Sequence, residues 1–526
     1  MGQVPVRISS NGVRALSAPR VLLVDLNNFA RYPSVAIGYL SAILKKGGYA
    51  VEVFAPLSTG LTGVAREPKT PWWGRADLEF RFRTGIARNP IVRQIRKSYA
   101  TRARSKLARS KNEVVAEVAR QLDSGIDVVL VSTYLMYHPH CVEIGRLCKE
   151  RGIPLVVGGP YFHAQEVATE WLTLPGLSAL IGAEVEPHLC EIVRRVLAGE
   201  SAGSLPGVWS NEPLPQAAPG SLSGVYVQHD EPRLQAEPLK DLDSIPFPDY
   251  VEFPWSLYPN VIVPIITGRG CGWGVCSFCS DVTSTVGRTY RSRSPENVLS
   301  ELAHQHKKHG AALFVFVDLK LNSNVPLWRE LISKIQNVAP GSKWIAAVHV
   351  GARGDDGLSL EDLKRARAAG MVRVTTGLEV GSQAVLDKMA KGTDLEITSQ
   401  FLRDAKEADL SVQTTMMTGY PGETSDDVNL TTKFLQDHET EIERVKMNRF
   451  QIMSGTLFAR QLEKSPQKFP QVTDVQPDHR NAQISHHYTE TEKRDYRNAI
   501  SRLLKLVHTI NRKPLNLAAS DFDGVM

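Results

Sequence analysis

The sequence predicts an α/β protein in which an N-terminal doubly wound, Rossmann-like domain precedes a partial (βα)6 TIM-type barrel and a small C-terminal helical extension. Three observations carry this reading. Short apolar runs alternate with helix-periodic stretches in two separate series, the pattern of parallel sheets covered by helices. A stretch rich in Ser, Gly and Pro over 201–260 divides the two series. The second series holds six strand–helix units, short of the eight that close a full barrel.

After a tail over 1–20, Val21–Val24 reads as a buried strand, Ala36–Lys46 as an apolar-periodic helix stopped by Gly47-Gly48, and Tyr49–Phe54 as the next strand. A basic insertion over 57–112 interrupts the series, which resumes with strands at Val128–Val131, Leu155–Val157 and Leu177–Ile181. This first domain is expected to run over 21–200. Its turns Ser132-Thr133, Gly158-Gly159-Pro160 and Gly182-Ala183-Glu184 follow strand carboxyl ends, where open α/β sheets bind ligands. Within the linker, Leu242-Asp243-Ser244-Ile245-Pro246-Phe247-Pro248 cannot be helical throughout. The barrel, over 261–460, takes strands at Val261–Thr267, Leu313–Val317, Trp344–Val350, Val372–Leu378, Val412–Thr418 and Val445–Ile452. Helices lie between them, as at Pro295–Lys307, Val325–Ile335, Leu360–Ala369 and Ser399–Ala408. The extension over 461–526 is polar, with one amphipathic helix near Lys493–Ile510.

At 42% hydrophobic and 22% charged, the 526 residues have ordinary globular composition. A net charge of +6 is small for this length and does not call for nucleic acid. Basic residues do gather in the insertion: Arg81, Arg83, Arg88, Arg93, Arg96, Lys97, Arg102, Arg104, Lys106 and Arg109. No aromatic stacking pattern accompanies them, so the plainer reading is a solvated helical insertion. The sharper one is a docking surface for an acidic partner or an anionic substrate group. No window approaches the roughly twenty apolar residues of a membrane helix, and Met1–Pro19 has no apolar signal core. A cytoplasmic location is expected. Cys141, Cys148 and Cys190 are scattered, while Cys271, Cys276 and Cys279 crowd into nine positions. That crowding points to a metal site in a reducing compartment rather than to disulfides.

The crowded loop follows the first barrel strand and reads Thr267-Gly268-Arg269-Gly270-Cys271-Gly272-Trp273-Gly274-Val275-Cys276-Ser277-Phe278-Cys279-Ser280. Thiols spaced C-x4-C-x2-C can wrap three corners of an iron–sulfur cubane. One iron then keeps an open position, as catalytic metals do for a substrate. Gly270, Gly272 and Gly274 allow close backbone approach, and Trp273 and Phe278 can shield the cluster from water. The same thiols with a distant histidine would also suit zinc.

This loop resembles that of the radical S-adenosylmethionine (SAM) superfamily, with one residue more than its commonest C-x3-C-x2-C spacing. The resemblance implies a 4Fe-4S cluster on Cys271, Cys276 and Cys279, whose open iron chelates SAM and whose electron yields a 5′-deoxyadenosyl radical. Further stretches are similar to the family in order and place. Asp318-Leu319-Lys320-Leu321-Asn322 ends the second strand, where relatives bind the SAM amino group. Gly377-Leu378-Glu379-Val380-Gly381-Ser382 ends the fourth, with Glu379 toward the SAM ribose or amino group. Met417-Thr418-Gly419-Tyr420-Pro421-Gly422-Glu423-Thr424 resembles the family's turn after the fifth, and Met453-Ser454-Gly455-Thr456 follows the sixth. By resemblance, the SAM site comprises Phe278, Asp318, Asn322, Glu379, Ser382 and Gly419.

The first domain is similar to the cobalamin-binding domain of one radical SAM subfamily. Val156-Val157-Gly158-Gly159-Pro160, Ile181-Gly182-Ala183-Glu184-Val185-Glu186 and the linker's Ile245-Pro246-Phe247-Pro248-Asp249-Tyr250 carry that likeness. It implies a cobalamin site at Ser132, Thr133, Gly158, Gly159, Gly182 and Glu184. The Asp-x-His-x-x-Gly motif that puts histidine beneath cobalt is absent; His138, His140 and His163 stand in other contexts, so base-off binding is expected. The implied activity is methyl transfer from SAM through cobalamin to an unactivated carbon of a small-molecule or peptide substrate. An electron donor such as flavodoxin or ferredoxin is implied, and no nucleic-acid partner. The alternatives are an enzyme with the same cofactors but no methyl transfer (an oxidative cyclase or ring rearrangement) and a non-catalytic cobalamin- or metal-binding regulator.

Overall fold

A computed structural model describes residues 18–26, 31–56, 91, 94, 111–211, 225–228, 231–234, 236–280, 290–352 and 354–525. The basic insertion expected over 57–112 lies almost wholly outside the described residues. The chain divides into two compact units. The first takes the described residues as far as Pro259 other than 91 and 94, with His479–Ala482; the second takes 91 and 94, Asn260–Asp478 and the described residues from Gln483 onward.

The first unit is a six-stranded sheet. In chain order it runs β1 (Arg20–Leu26), α1 (Val35–Lys46), β2 (Ala50–Phe54), α2 (111–122), β3 (Val128–Thr133) and α3 (His138–Arg151). There follow β4 (Leu155–Gly158), α4 (Gln165–Trp171), β5 (Leu177–Ile181), α5 (Leu189–Leu197) and β6 (Val208–Trp209). The central strands are nearly continuous apolar runs because helices cover both faces. Leu22, Val24, Val129 and Val131 meet Ile144 and Trp171 on one side. Val21, Leu23, Val128 and Leu130 meet Ile37, Leu44 and Ile192 on the other. Strand order is β2-β1-β3-β4-β5-β6, with β6 alone antiparallel. The order reverses between β1 and β3, which pair Asp25 with Ser132 and Leu26 with Thr133. Ligands of such sheets bind at that reversal.

The stretch expected as a linker is partly built into this unit. Besides β6, a short hairpin forms from β7 (Val225–Gln228) and β8 (Glu231–Leu234). Tyr250 is buried against Gly38, where any side chain would strike its ring. Proline-rich sequence excludes helix, but it leaves an extended chain free to dock.

In the second unit β9 (Ile262–Ile265), β10 (Gly268–Arg269) and β11 (Arg291–Ser292) lead into α6 (Pro295–His309), β12 (Leu313–Phe316) and α7 (Val325–Val338). Then come β13 (Lys343–Val348), α8 (Leu360–Ala368), β14 (Met371–Glu379), α9 (Gln383–Lys388), α10 (Leu395–Glu407), β15 (Ser411–Thr418), α11 (Ser425–Asp437) and β16 (Arg444–Arg449). Six parallel strands in the order β16-β15-β14-β13-β12-β9, with the end strands unpaired to each other among the described residues, make the expected partial barrel. Ser294, Asn324, Ser359, Asp394 and Thr424 cap α6, α7, α8, α10 and α11 with their side chains. Such caps satisfy amides that would otherwise be orphaned.

The extension is more than helical. β17 (Ile452–Met453), α12 (Leu457–Lys464), β18 (Val472–Asp478) and β19 (Gln483–Tyr488) precede α13 (Arg494–Asn511). The strands form an antiparallel sheet, β17-β19-β18. Most of β18 is exposed and polar, so it shows no alternation from which a strand could be read. Among the described residues no helix is long and apolar enough to cross a membrane.

Candidate active site

The cysteine loop is held at both its start and its middle. Asp318, directly after β12, turns back to accept from the Thr267 amide (3.0 Å), the Thr267 hydroxyl (2.8 Å) and the Gly268 amide (2.9 Å). Burial pushes its carboxyl up to about 6, and these donors limit the rise. Further on, the Ser277 amide donates to the Met389 carbonyl (2.9 Å), and its hydroxyl lies 2.8 Å from that of Tyr420. The Trp273 indole donates to the Ala390 carbonyl (2.8 Å), and its ring lies against Gly392, leaving no room there for a Cβ. Residues 389–392 therefore form a strap under the loop.

Cys271, Cys276 and Cys279 are free thiols of intermediate exposure. Burial raises the Cys276 thiol, and Lys391 opposes that rise. Among the described residues no three His, Cys, Asp or Glu side chains converge on one metal ion. Thiols spread along one anchored loop suit a cluster, in which each cysteine binds a different iron.

The other barrel candidates divide into two groups. Asn322 spends its amide on backbone: it accepts from the His349 amide (3.0 Å) and donates to the carbonyls of His349 (2.9 Å) and Asp356 (3.0 Å). Ser382 donates to Asp427 at 2.6 Å. With Asp318, these residues fix loops at the barrel's carboxyl end. Phe278, Glu379 and Gly419 are placed differently. Glu379 sits at a bulge in β14 with φ 62° and accepts from Lys391 at 2.7 Å, both side chains buried. The Lys391 ammonium stands 5.8 Å from the Phe278 ring centre. Burial pulls Lys391 down, but Glu379 and the Cys276 and Cys279 thiols outweigh it, and the net shift is upward. Gly419, with φ 83°, faces open space and donates its amide to Glu423 at 2.6 Å.

In the first unit the candidates gather at the carboxyl ends of β3, β4 and β5. Gly159 and Gly182 permit close backbone packing, since a Cβ at either would strike the carbonyl of Thr133 or Phe162. The Thr133 hydroxyl donates to the Tyr134 carbonyl at 3.0 Å. Glu184 accepts from the Leu239 amide at 2.8 Å and so tethers the following segment. Ser132 and Gly158 pair across β3 and β4. Asp25 was not anticipated. It is buried at the reversal point, its carboxyl pushed up to about 6 by burial, with Oδ1 unpartnered among the described residues. Nearby Tyr134 and Met136 are 40% and 57% exposed. His138 and His140, at the start of α3, are edge-on to Trp171 and Tyr137.

Residues 265–435 match the family model of the Radical SAM superfamily. The barrel unit thus carries a radical SAM domain. An uncharacterized methyltransferase of Pyrococcus horikoshii is 25% identical over 61% of this chain and 66% of its own length. An anaerobic magnesium-protoporphyrin IX monomethyl ester cyclase of Cereibacter sphaeroides is 28% identical over 39% of this chain and 34% of its own. The chain thus covers less than two thirds of either relative. The radical SAM methyltransferase TsrM from Kitasatospora setae, solved with cobalamin and a 4Fe-4S cluster, superposes with a TM-score of 0.59 at 16% identity. That match covers 93% of this chain and 89% of TsrM. OxsB, a cobalamin-dependent SAM radical enzyme solved with aqua-cobalamin, gives 0.63 at 15% identity over 90% of this chain and 65% of its own. At these identities the likeness is one of fold.

Lys391 and Tyr496 were not anticipated either. Tyr496, from α13, donates to Glu423 at 2.5 Å and so ties the extension to the turn after β15. Neither residue differs in sequence from the other lysines and tyrosines of the chain; only the fold brings them to the site.

Proposed function

We propose that this chain is a cobalamin-dependent radical SAM enzyme that transfers a methyl group from SAM to an unactivated carbon of a small-molecule or peptide substrate. The observation that carries the reading is the fold, shared over 93% of this chain with a cobalamin-bearing methyltransferase and joined to a radical SAM domain. Cys271, Cys276 and Cys279 would hold the cluster. The carboxyl edge of the first sheet, with exposed Tyr134 and Met136 and the unpartnered Asp25 oxygen, would hold cobalamin. When bound, the cluster supplies the electron that cleaves SAM, and cobalamin carries the methyl group.

The chain's own part is binding, orientation and exclusion of water. Asp318 and Ser277 fix the cysteine loop, and Trp273 and Phe278 would shield a bound cluster from water. Open space at Gly419 lets SAM approach backbone at the end of β15.

The test is anaerobic incubation of the full chain with methyl-labelled SAM, cobalamin and candidate substrates, followed by mass spectrometry. Labelled product, with deoxyadenosine and S-adenosylhomocysteine together, is expected. Unlabelled product with deoxyadenosine but no S-adenosylhomocysteine would instead establish the second reading, a cyclase-like reaction, which the partial likeness to the monomethyl ester cyclase favours.

A further inference from the structure

The buried pair between Glu379 and Lys391 asks for an explanation beyond stability. Removing both charges from water is costly, and buried pairs are often no more stable than apolar replacements. Here the backbone is also bent to make the pair. Glu379 and Ala390, the residue before Lys391, both take left-handed φ, 62° and 53°, a conformation that L-residues avoid and that clusters at functional sites. Gly377 completes the arrangement, since a Cβ there would collide with the Glu379 carboxylate and crowd the Lys391 ammonium.

The pair is oriented. The ammonium lies 5.8 Å from the ring of Phe278, one of the two residues between Cys276 and Cys279 in the loop. The positive end of the dipole therefore faces the loop. Both members are 11% exposed or less at their side chains, so solvent screens them little.

We propose that Lys391 is a positioning residue for electron uptake: its buried charge stabilises the reduced state of the cluster on Cys271, Cys276 and Cys279, and Glu379 limits that effect. This rests on the cluster assignment made above. A cubane on three thiolates gains one negative charge when an external one-electron donor reduces it, so the nearby cation favours the reduced form. The carboxylate of Glu379, of opposite charge, opposes it. Burial and nearby charge are levers that a protein holds on a cluster potential.

The test is a dithionite titration of the anaerobically reconstituted full chain, followed by electron paramagnetic resonance. Lys391→Met should move the potential to more negative values, and Glu379→Gln to more positive ones. Lys391→Arg should return it toward wild type. A merely structural pair would not split in sign, so cluster-bearing variants with unchanged potentials, or with shifts in one direction, overturn the inference. If Lys391→Met holds no iron, Glu379→Gln decides alone, and no positive shift there overturns it. Wild-type chain without iron would sink the cluster assignment as well, whereas iron-bearing wild type with unsplit variants sinks only the role of Lys391.

Discussion

Glu423 is closed off from water at the end of β15, where its carboxylate accepts from the Gly419 amide (2.6 Å) and the Tyr496 hydroxyl (2.5 Å). Burial raises its carboxyl from 4.5 to about 7, and the two donors limit the rise. Because the folded chain holds this proton more tightly than the unfolded chain, stability falls as pH rises from about 4.5 to about 7 and is level above. Glu423→Gln keeps an acceptor for both donors and removes the ionisation. We expect the variant to lose that slope and to exceed wild type above pH 7 by up to roughly 3 kcal/mol, at about 1.4 kcal/mol for each tenfold change in proton affinity. Denaturant unfolding at pH 5 and pH 8 checks this; an equal difference at both would mean that Glu423 does not titrate with folding. The same scale shows where sequence reading stops. The motif after β12 places Asp318 and Asn322 at a strand's carboxyl end, but it cannot say whether they turn toward a ligand or, as here, toward the backbone of neighbouring loops.

At the level of elements, the strap over 389–392 shows how loop and barrel are fitted. Gly392 has φ 69° and lies under the Trp273 ring. Gly392→Ala should cost about 2–5 kcal/mol, combining left-handed strain of about 1–2 kcal/mol with overpacking of about 1–3 kcal/mol. In a Trp273→Ala background the clash is gone and only the strain should remain. Thermal unfolding of the two single variants and the double variant measures this coupling; strictly additive costs would show that the ring does not rest on the glycine. Most strands of the two large sheets were legible because they are short apolar runs bounded by Gly, Pro and polar turns. The expected Leu177–Ile181 strand matches β5 residue for residue, and Val412–Thr418 misses β15 only at Ser411. β6 and β18 were not legible. β6 has two residues and pairs at a sheet edge, while β18 carries Pro477 and presents mostly polar side chains to solvent. The pairing of β6 is set by β5, distant in sequence, which no local pattern encodes, whereas β18 pairs with β19 just after it and is hidden by its own composition.

For the whole molecule, each unit has its own sheet and a carboxyl edge suited to its own ligand, so the two proposed cofactors should leave separate footprints. Ligand binding slows exchange of those amides whose opening would release the ligand. At one hundred times its Kd a ligand contributes about 2.7 kcal/mol, or roughly a hundredfold slowing. Hydroxocobalamin should therefore protect amides at the carboxyl ends of β1, β3 and β4, and show a base-off spectrum, because the chain has no Asp-x-His-x-x-Gly motif. SAM, added to reconstituted protein, should protect 377–382 and 419–423, where Glu379 and Gly419 sit. Hydrogen–deuterium exchange with each ligand alone reads both footprints. Cobalamin protection confined to the amino ends of those strands would place its site on the wrong edge for an open α/β sheet, and no protection by folded protein would remove cobalamin from the proposed function. SAM protection that spares the turn after β15 would separate Gly419 from the SAM site and leave Glu423 and Tyr496 as a purely structural lock.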